Sequence, residues 1–144
     1  MATDRKAAAV WQGDLMNGSG TIEEVGSGAF GPLDVSWASR SEEPNGKTSP
    51  EELIAAAWAA CFAMALSNGL AKAGNPPEKL ETSATVTFQP GEGITRGALI
   101  VRGTVPGLDA DGFRDAAEDA KRNCPVSQAL SGIPDVSLDA ELAG

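Results

Sequence analysis

Two cysteines and no histidine set the limits on the chemistry open to this 144-residue chain. Cys61 lies in TSPEELIAAAWAACFAMALS and Cys124 in NCPVSQAL. A free cysteine packs well as a small apolar residue, so each thiol has an inert core reading. The other reading is a redox pair, since two cysteines make no disulfide framework. Without histidine, Ser/His/Asp and Cys/His catalytic units are excluded, and a metal site built from two sulfurs alone is not expected. A reactive thiol must be held as thiolate, and a nearby cation does this by lowering its pKa. Burial in the middle of a helix works the other way. Arg40, shortly before the helix that carries Cys61, is the candidate cation. Glu51 is the carboxylate that could grip its guanidinium in a bidentate pair. Both also have plain readings: a solvated loop charge for Arg40, and a residue that complements the helix dipole for Glu51.

Positioning these groups requires a long helix. Ser49 reads as its N-cap, Pro50 as its first residue and Glu52 as the partner in a capping box. Gly74, followed by Pro76 and Pro77, ends it. The span predicts about 24 helical residues, or about 36 Å of helix. Leu53, Ile54, Trp58, Phe62, Met64 and Leu66 are spread around the axis, with alanines between them. A helix apolar on all sides must be covered on all sides, and one small sheet covers one side. The expected cover for the other is a second copy of the chain, giving an obligate homodimer. Glu51 and Cys61 are ten residues apart, about 15 Å along one helix. Glu51 therefore cannot touch the Cys61 of its own helix and would approach the one in a partner. Trp58, Phe62 and Met64 suit an apolar entrance to the thiol or core packing, with Met64 read as core.

The remaining elements follow from pattern. KAAAVWQ (6–12) and GTIEEVG (20–26) read as a hairpin, and Leu33, Val35 and Trp37 as one face of a third strand. SRSEEPNGKTS reads as a polar loop. SATVTFQ (83–89) and ITRGALIVRGTVP (94–106) read as strands joined by PGEG. Residues 108–123 read as an amphipathic helix capped by Asp109, with Phe113, Ala116, Ala117 and Ala120 inward. Pro125 can open a short helical turn after Cys124. Val136, Leu138, Ala140 and Leu142 alternate with polar residues in a closing strand. This order predicts one α+β domain over 1–144 with antiparallel-rich sheets.

Charge and composition close off other functions. The net charge of −9 comes from 20 acidic and 11 basic residues without a basic run, which disfavours nucleic-acid binding. Residues 53–71 carry no charge, but they are rich in alanine and read as a buried helix of a soluble protein rather than a membrane span. MATDRKAAAVWQGDL has no secretory pattern, so a cytoplasmic protein is expected. GSGTIEEVGSGAFG lacks the spacing of a phosphate-binding loop.

The motifs TSPEELIAAAWAACFAMALS and NCPVSQAL, with a weaker match in AVWQGDLMNGSGTI, resemble the OsmC/Ohr family of thiol-dependent peroxidases, and its OsmC branch in particular. The resemblance implies an intertwined homodimer with both sites at the interface. It matches the family's first cysteine to Cys61, its second to Cys124, its helix-start glutamate to Glu51 and its site arginine to Arg40. Where many OsmC-type sequences carry histidine three residues before the first cysteine, this chain has Trp58, which implies a more apolar pocket. The implied activity is reduction of organic hydroperoxides and hydrogen peroxide. Cys61 would become a sulfenic acid, Cys124 would resolve it into a disulfide, and an external dithiol or lipoylated reductant would recycle the pair with no bound cofactor. A redox-sensing or small-ligand-binding protein with the same two cysteines as a switch is the alternative.

Overall fold

The computed structural model describes residues 1–143 and divides into two compact units, Met1–Glu51 and Glu52 onward. In the first unit, β1 (Ala9–Gln12), β2 (Ser19–Ile22) and β3 (Leu33–Val35) form an antiparallel sheet in chain order. The β1–β2 turn is tied by Asn17 N–H to Asp14 Oδ1 at 2.7 Å and Gly18 N–H to the Asp14 carbonyl at 2.9 Å. Trp37 departs from the expected strand, because it begins a short helix, α1 (Trp37–Ser41). Ser36 and Ser39 cause the change. The Ser36 hydroxyl accepts from Ser39 N–H at 3.1 Å, and the Ser39 hydroxyl accepts from Ser36 N–H at 3.0 Å. This reciprocal cap satisfies two amides that a strand would have offered to a neighbour. Arg40 thus stands on a helix rather than in a loop.

The second unit is built around the body of α2 (Pro50–Lys72), which begins and ends close to its sequence signals. Its end is a Schellman motif: Asn75 N–H donates to the Leu70 carbonyl at 2.9 Å and Gly74 N–H to the Ala71 carbonyl at 3.1 Å. Gly74 takes φ +93°, the left-handed conformation that glycine adopts without penalty. β4 (Lys79–Gln89) and β5 (Gly93–Thr104) pair antiparallel, and β6 (Asp135–Leu142) adds to β5 in parallel. A parallel pair needs a crossover connection, here supplied by α3 (Ala110–Asn123) and α4 (Pro125–Ala129). Asp109 caps α3 as expected, accepting from Gly112 N–H at 2.7 Å.

The core joins one row of α2 to the sheet and to α3. Trp58, Phe62, Leu66 and Leu70, spaced one turn apart, are buried with Leu99 and Val101 of β5 and with Phe113, Ala117 and Ala120 of α3. The opposite row of α2 is open: Ala56, Ala57, Ala60 and Met64 are exposed. An apolar helix covered along one row and bare along another is what the even spread of apolar residues along α2 anticipates for a single copy of the chain.

Candidate active site

Cys61 sits at the middle of α2, next to the buried Phe62. Cys124 is the single residue that ends α3 and begins α4. Its N–H donates to the Ala120 carbonyl at 2.8 Å, its carbonyl accepts from Gln128 N–H at 3.0 Å, and Pro125 follows at the first helical position. This junction aims the side chain at α2. The two sulfurs lie 2.9 Å apart as free thiols.

Their surroundings differ. Cys124 is fully buried, whereas Cys61 is partly exposed and lines a cavity of about 750 Å³ with Met64, Ala65, Lys72, Ala116 and Asn123. Met64, read as core from the sequence, is 72% exposed on the wall of that cavity. Trp58 and Phe62 are the core residues instead.

A second contact runs beside the sulfurs. Trp58, three residues before Cys61, donates its indole N–H to the hydroxyl of Ser127, three residues after Cys124, at 2.7 Å. Trp58 is 1% exposed, so it lines no entrance. Rather than making its surroundings merely apolar, it brings a polar group to α4. The sequence carried no signal for this contact, which depends on how the α3–α4 junction docks on α2.

The two thiols share their protons unequally. Burial pushes the Cys61 thiol up, and its hydrogen bond to Cys124 pushes it further, against a weaker opposing contact from the Val126 amide. Burial also raises Cys124, but the donors around it prevail. The Cys61 S–H, the Ser127 amide and hydroxyl and the Val126 amide all stabilise its anion, which holds Cys124 below the usual thiol value. Within one chain Cys124 is therefore the sulfur that gives up its proton more readily.

In the first unit, Arg40 and Glu51 form the expected bidentate pair. Arg40 Nη2 lies 2.9 Å from Glu51 Oε2, and its Nε donates to Oε1 at 3.0 Å. Glu51 is 6% exposed, so its charge is one that burial makes costly to leave unpaired. The structure thus brings the four residues together as two pairs, Cys61 with Cys124 and Arg40 with Glu51. Among the described residues, no group of three or more His, Cys, Asp or Glu could hold a metal ion.

The OsmC-like protein family model matches residues 43–139, a span that contains Glu51 and both cysteines. Peroxiredoxin OsmC of Escherichia coli (strain K12) is 41% identical over 145 residues, covering 99% of each chain. The organic hydroperoxide resistance protein OhrB of Bacillus subtilis (strain 168) is 32% identical over 110 residues, covering 74% of this chain and 79% of its own. Among solved structures, an organic hydroperoxide resistance protein OsmC from Legionella pneumophila superposes with a TM-score of 0.69 at 26% identity, covering 94% of this chain and 96% of its own. With a family model matched over two thirds of its length and a full-length relative at 41% identity, this chain belongs to the OsmC family.

Proposed function

We propose that this protein is a two-cysteine peroxidase that reduces organic hydroperoxides and hydrogen peroxide, with residues 1–144 acting as one OsmC-like domain in a cytoplasmic homodimer. The observation that carries this reading is the 2.9 Å approach of two free thiols, one of them open to a cavity. Relatives named for peroxiredoxin activity and for organic hydroperoxide resistance support it.

Cys61, the accessible sulfur, is the attacking thiolate. It takes the terminal oxygen of the hydroperoxide, the O–O bond breaks, and the alkoxide leaves as alcohol after gaining a proton. The sulfenic acid on Cys61 is then attacked by the Cys124 thiolate. Hydroxide departs as water with a proton, and a Cys61–Cys124 disulfide remains. An external dithiol reduces it by exchange.

Among the described residues no cation contributes to the shift of the Cys61 thiol, and burial disfavours its thiolate. Arg40 is the group that would correct this and also stabilise the charge developing on the leaving oxygen. Glu51 begins α2 ten residues before Cys61, so the Arg40–Glu51 pair acts on the Cys61 of the partner chain. The exposed alanine row of α2 is the surface through which the partner approaches.

The test is steady-state consumption of a bulky organic hydroperoxide and of hydrogen peroxide by reduced protein with excess dithiol, alongside peptide mapping of the oxidised product. Many turnovers per subunit and a Cys61–Cys124 disulfide are expected. Oxidation that stops after one equivalent despite excess dithiol would favour the redox switch, and no oxidation at all would reject both readings.

A further inference from the structure

The segment that carries Cys124 is thinly anchored. α4 has five residues, and none of them is buried. Val126 and Leu130 pack on the edge of the core while staying partly open. Gln128 donates its side-chain amide back to the Arg122 carbonyl of α3, at 3.2 Å. Among the described residues, one side-chain hydrogen bond ties α4 to α2: the Trp58 indole N–H donates to Ser127 Oγ at 2.7 Å. The donor is the fixed partner. Trp58 is buried, and its ring lies against β5 at Gly97, where an added Cβ would stand 2.5 Å from Cζ3. Ser127 sits on the short helix that Cys124 caps. The bond thus fastens a lightly held segment to the packed body of the fold, three residues from each cysteine.

We infer that Trp58, through its bond to Ser127, is a positioning residue for the resolving step, holding α4 on α2 so that Cys124 stays within reach of Cys61. This rests on the two-cysteine cycle proposed above. The sulfurs stand 2.9 Å apart. A disulfide needs about 2.05 Å, so closure asks for less than about 1 Å of movement. That preorganisation matters because the Cys61 sulfenic acid has two fates. In one, the Cys124 thiolate attacks Cys61 Sγ, the S–O bond breaks, hydroxide gains a proton and leaves as water, and the disulfide remains. In the other, the Cys61 sulfenate attacks a second hydroperoxide, the O–O bond breaks, the alkoxide gains a proton and leaves as alcohol, and a sulfinic acid remains. The first fate is intramolecular and depends on where Cys124 is held. The second depends on the hydroperoxide concentration. A segment released from Trp58 spends part of its time away from Cys61, which shifts the balance toward overoxidation.

The same bond bears on the disulfide equilibrium. Bridge and disulfide both tie the α3–α4 junction to α2, so each lowers the ordering cost of the other, and the coupling is reciprocal. In the oxidised protein the disulfide holds the segment with or without the bridge. In the reduced protein the bridge does more of the holding. Its loss therefore frees the reduced form more than the oxidised form and favours the dithiol.

The experiment compares the parent with Trp58→Phe, Ser127→Ala, Ser127→Thr and the double variant Trp58→Phe with Ser127→Ala. Trp58→Phe removes the donor and keeps the Ser127 hydroxyl, while Ser127→Ala removes the acceptor and keeps the indole. An effect common to both belongs to the bond between them. Equilibration with oxidised and reduced dithiothreitol reads the disulfide. Each of these two single variants should lower the constant for Cys61–Cys124 disulfide formation about tenfold, the scale of losing a hydrogen bond at a buried donor, which is about 30 mV less negative for two electrons. The double variant should match the singles, because one bond is lost in all three. Ser127→Thr keeps a hydroxyl and should restore the parental constant. Mass spectrometry after exposure to rising concentrations of an organic hydroperoxide reads the competing fate. The concentration that leaves half of the subunits with sulfinic acid on Cys61 should fall about tenfold in both single variants. An unchanged or raised constant in Ser127→Ala, additive losses in the double variant, or no restoration by Ser127→Thr would each overturn the inference. Ser127→Ala and Ser127→Thr carry the test should Trp58→Phe fail to fold. The dithiothreitol equilibrium uses no peroxide, so a failure of the peroxidase reading would be seen separately, as absent peroxide turnover in the parent.

Discussion

At the scale of single residues, the leading feature is the unequal hold of two neighbouring sulfurs on their protons. Donors from the start of α4 and from Cys61 depress Cys124, while burial and Cys124 itself raise Cys61. The pair should therefore lose its protons in two steps. The first thiolate appears below the ordinary thiol value and the second above it, so one negative charge is present between them. Absorbance at 240 nm against pH checks this, and a single transition of double amplitude near the ordinary value would contradict it. The proposed cycle also gives the two sulfurs unequal functions. Cys61→Ser should lose peroxide turnover and keep its fold. Without dithiol, Cys124→Ser should consume one equivalent of peroxide to form the Cys61 sulfenic acid, and excess peroxide should then oxidise it by a second equivalent to the sulfinic acid, seen as a 32 Da gain by mass spectrometry. Continued turnover in Cys61→Ser would remove that residue from the mechanism. Both cysteines were visible in the sequence as candidates, but composition could not separate a core filler from a nucleophile. The 63-residue separation of Cys61 and Cys124 carries no sign of their contact.

At the scale of elements, the sequence was most legible where local chemistry decides the outcome. Pro50, Gly74 and Asp109 mark helix ends because each changes which backbone groups are satisfied, and all three act at the expected places. Trp37 misled because alternation with Leu33 and Val35 is a strand pattern. The deciding feature was the Ser36–Ser39 cap, whose second member is serine rather than the usual Glu or Gln. That cap is what puts Arg40 on α1, where it meets Glu51. Beyond the Arg40–Glu51 pair, side-chain contacts between elements were not legible in the residue pattern. Gly97 looks like a defect in a strand until Trp58 is seen packed on it. Gly97→Ala should force the indole away from β5 and strain the Ser127 bridge, lowering stability by about 1–3 kcal/mol in a urea titration. Gly91, at φ +86° in the β4–β5 turn with open space around it, offers a contrast. Its replacement by alanine costs only the backbone strain and should leave the Cys124 midpoint where it was.

At the scale of the whole molecule, the four residues proposed as catalytic fall into two pairs, Arg40 with Glu51 in the first unit and Cys61 with Cys124 in the second, and the homodimer proposed above is what would unite them. The exposed row of Ala56, Ala57 and Ala60 on α2 leaves room for a second helix to approach closely. Placing a long charged side chain there by Ala57→Arg should convert the dimer to monomer in sedimentation and remove turnover, although Cys61, Cys124, Arg40 and Glu51 are all intact. A folded, fully active monomer would reject the shared site. A sharper discrimination comes from mixing two inactive parents. Cys61→Ser keeps Arg40, and Arg40→Met keeps Cys61. If Arg40 serves the partner's sulfur, one of the two sites in a mixed dimer combines an intact Cys61 with an intact Arg40, while the other site carries both lesions. Random exchange makes half of the dimers mixed, so about one quarter of the parental turnover should return. If Arg40 serves its own chain, each site in the mixed dimer keeps one lesion and no activity returns. The exchanged mixture therefore reads the direction of the Arg40 contact across the interface.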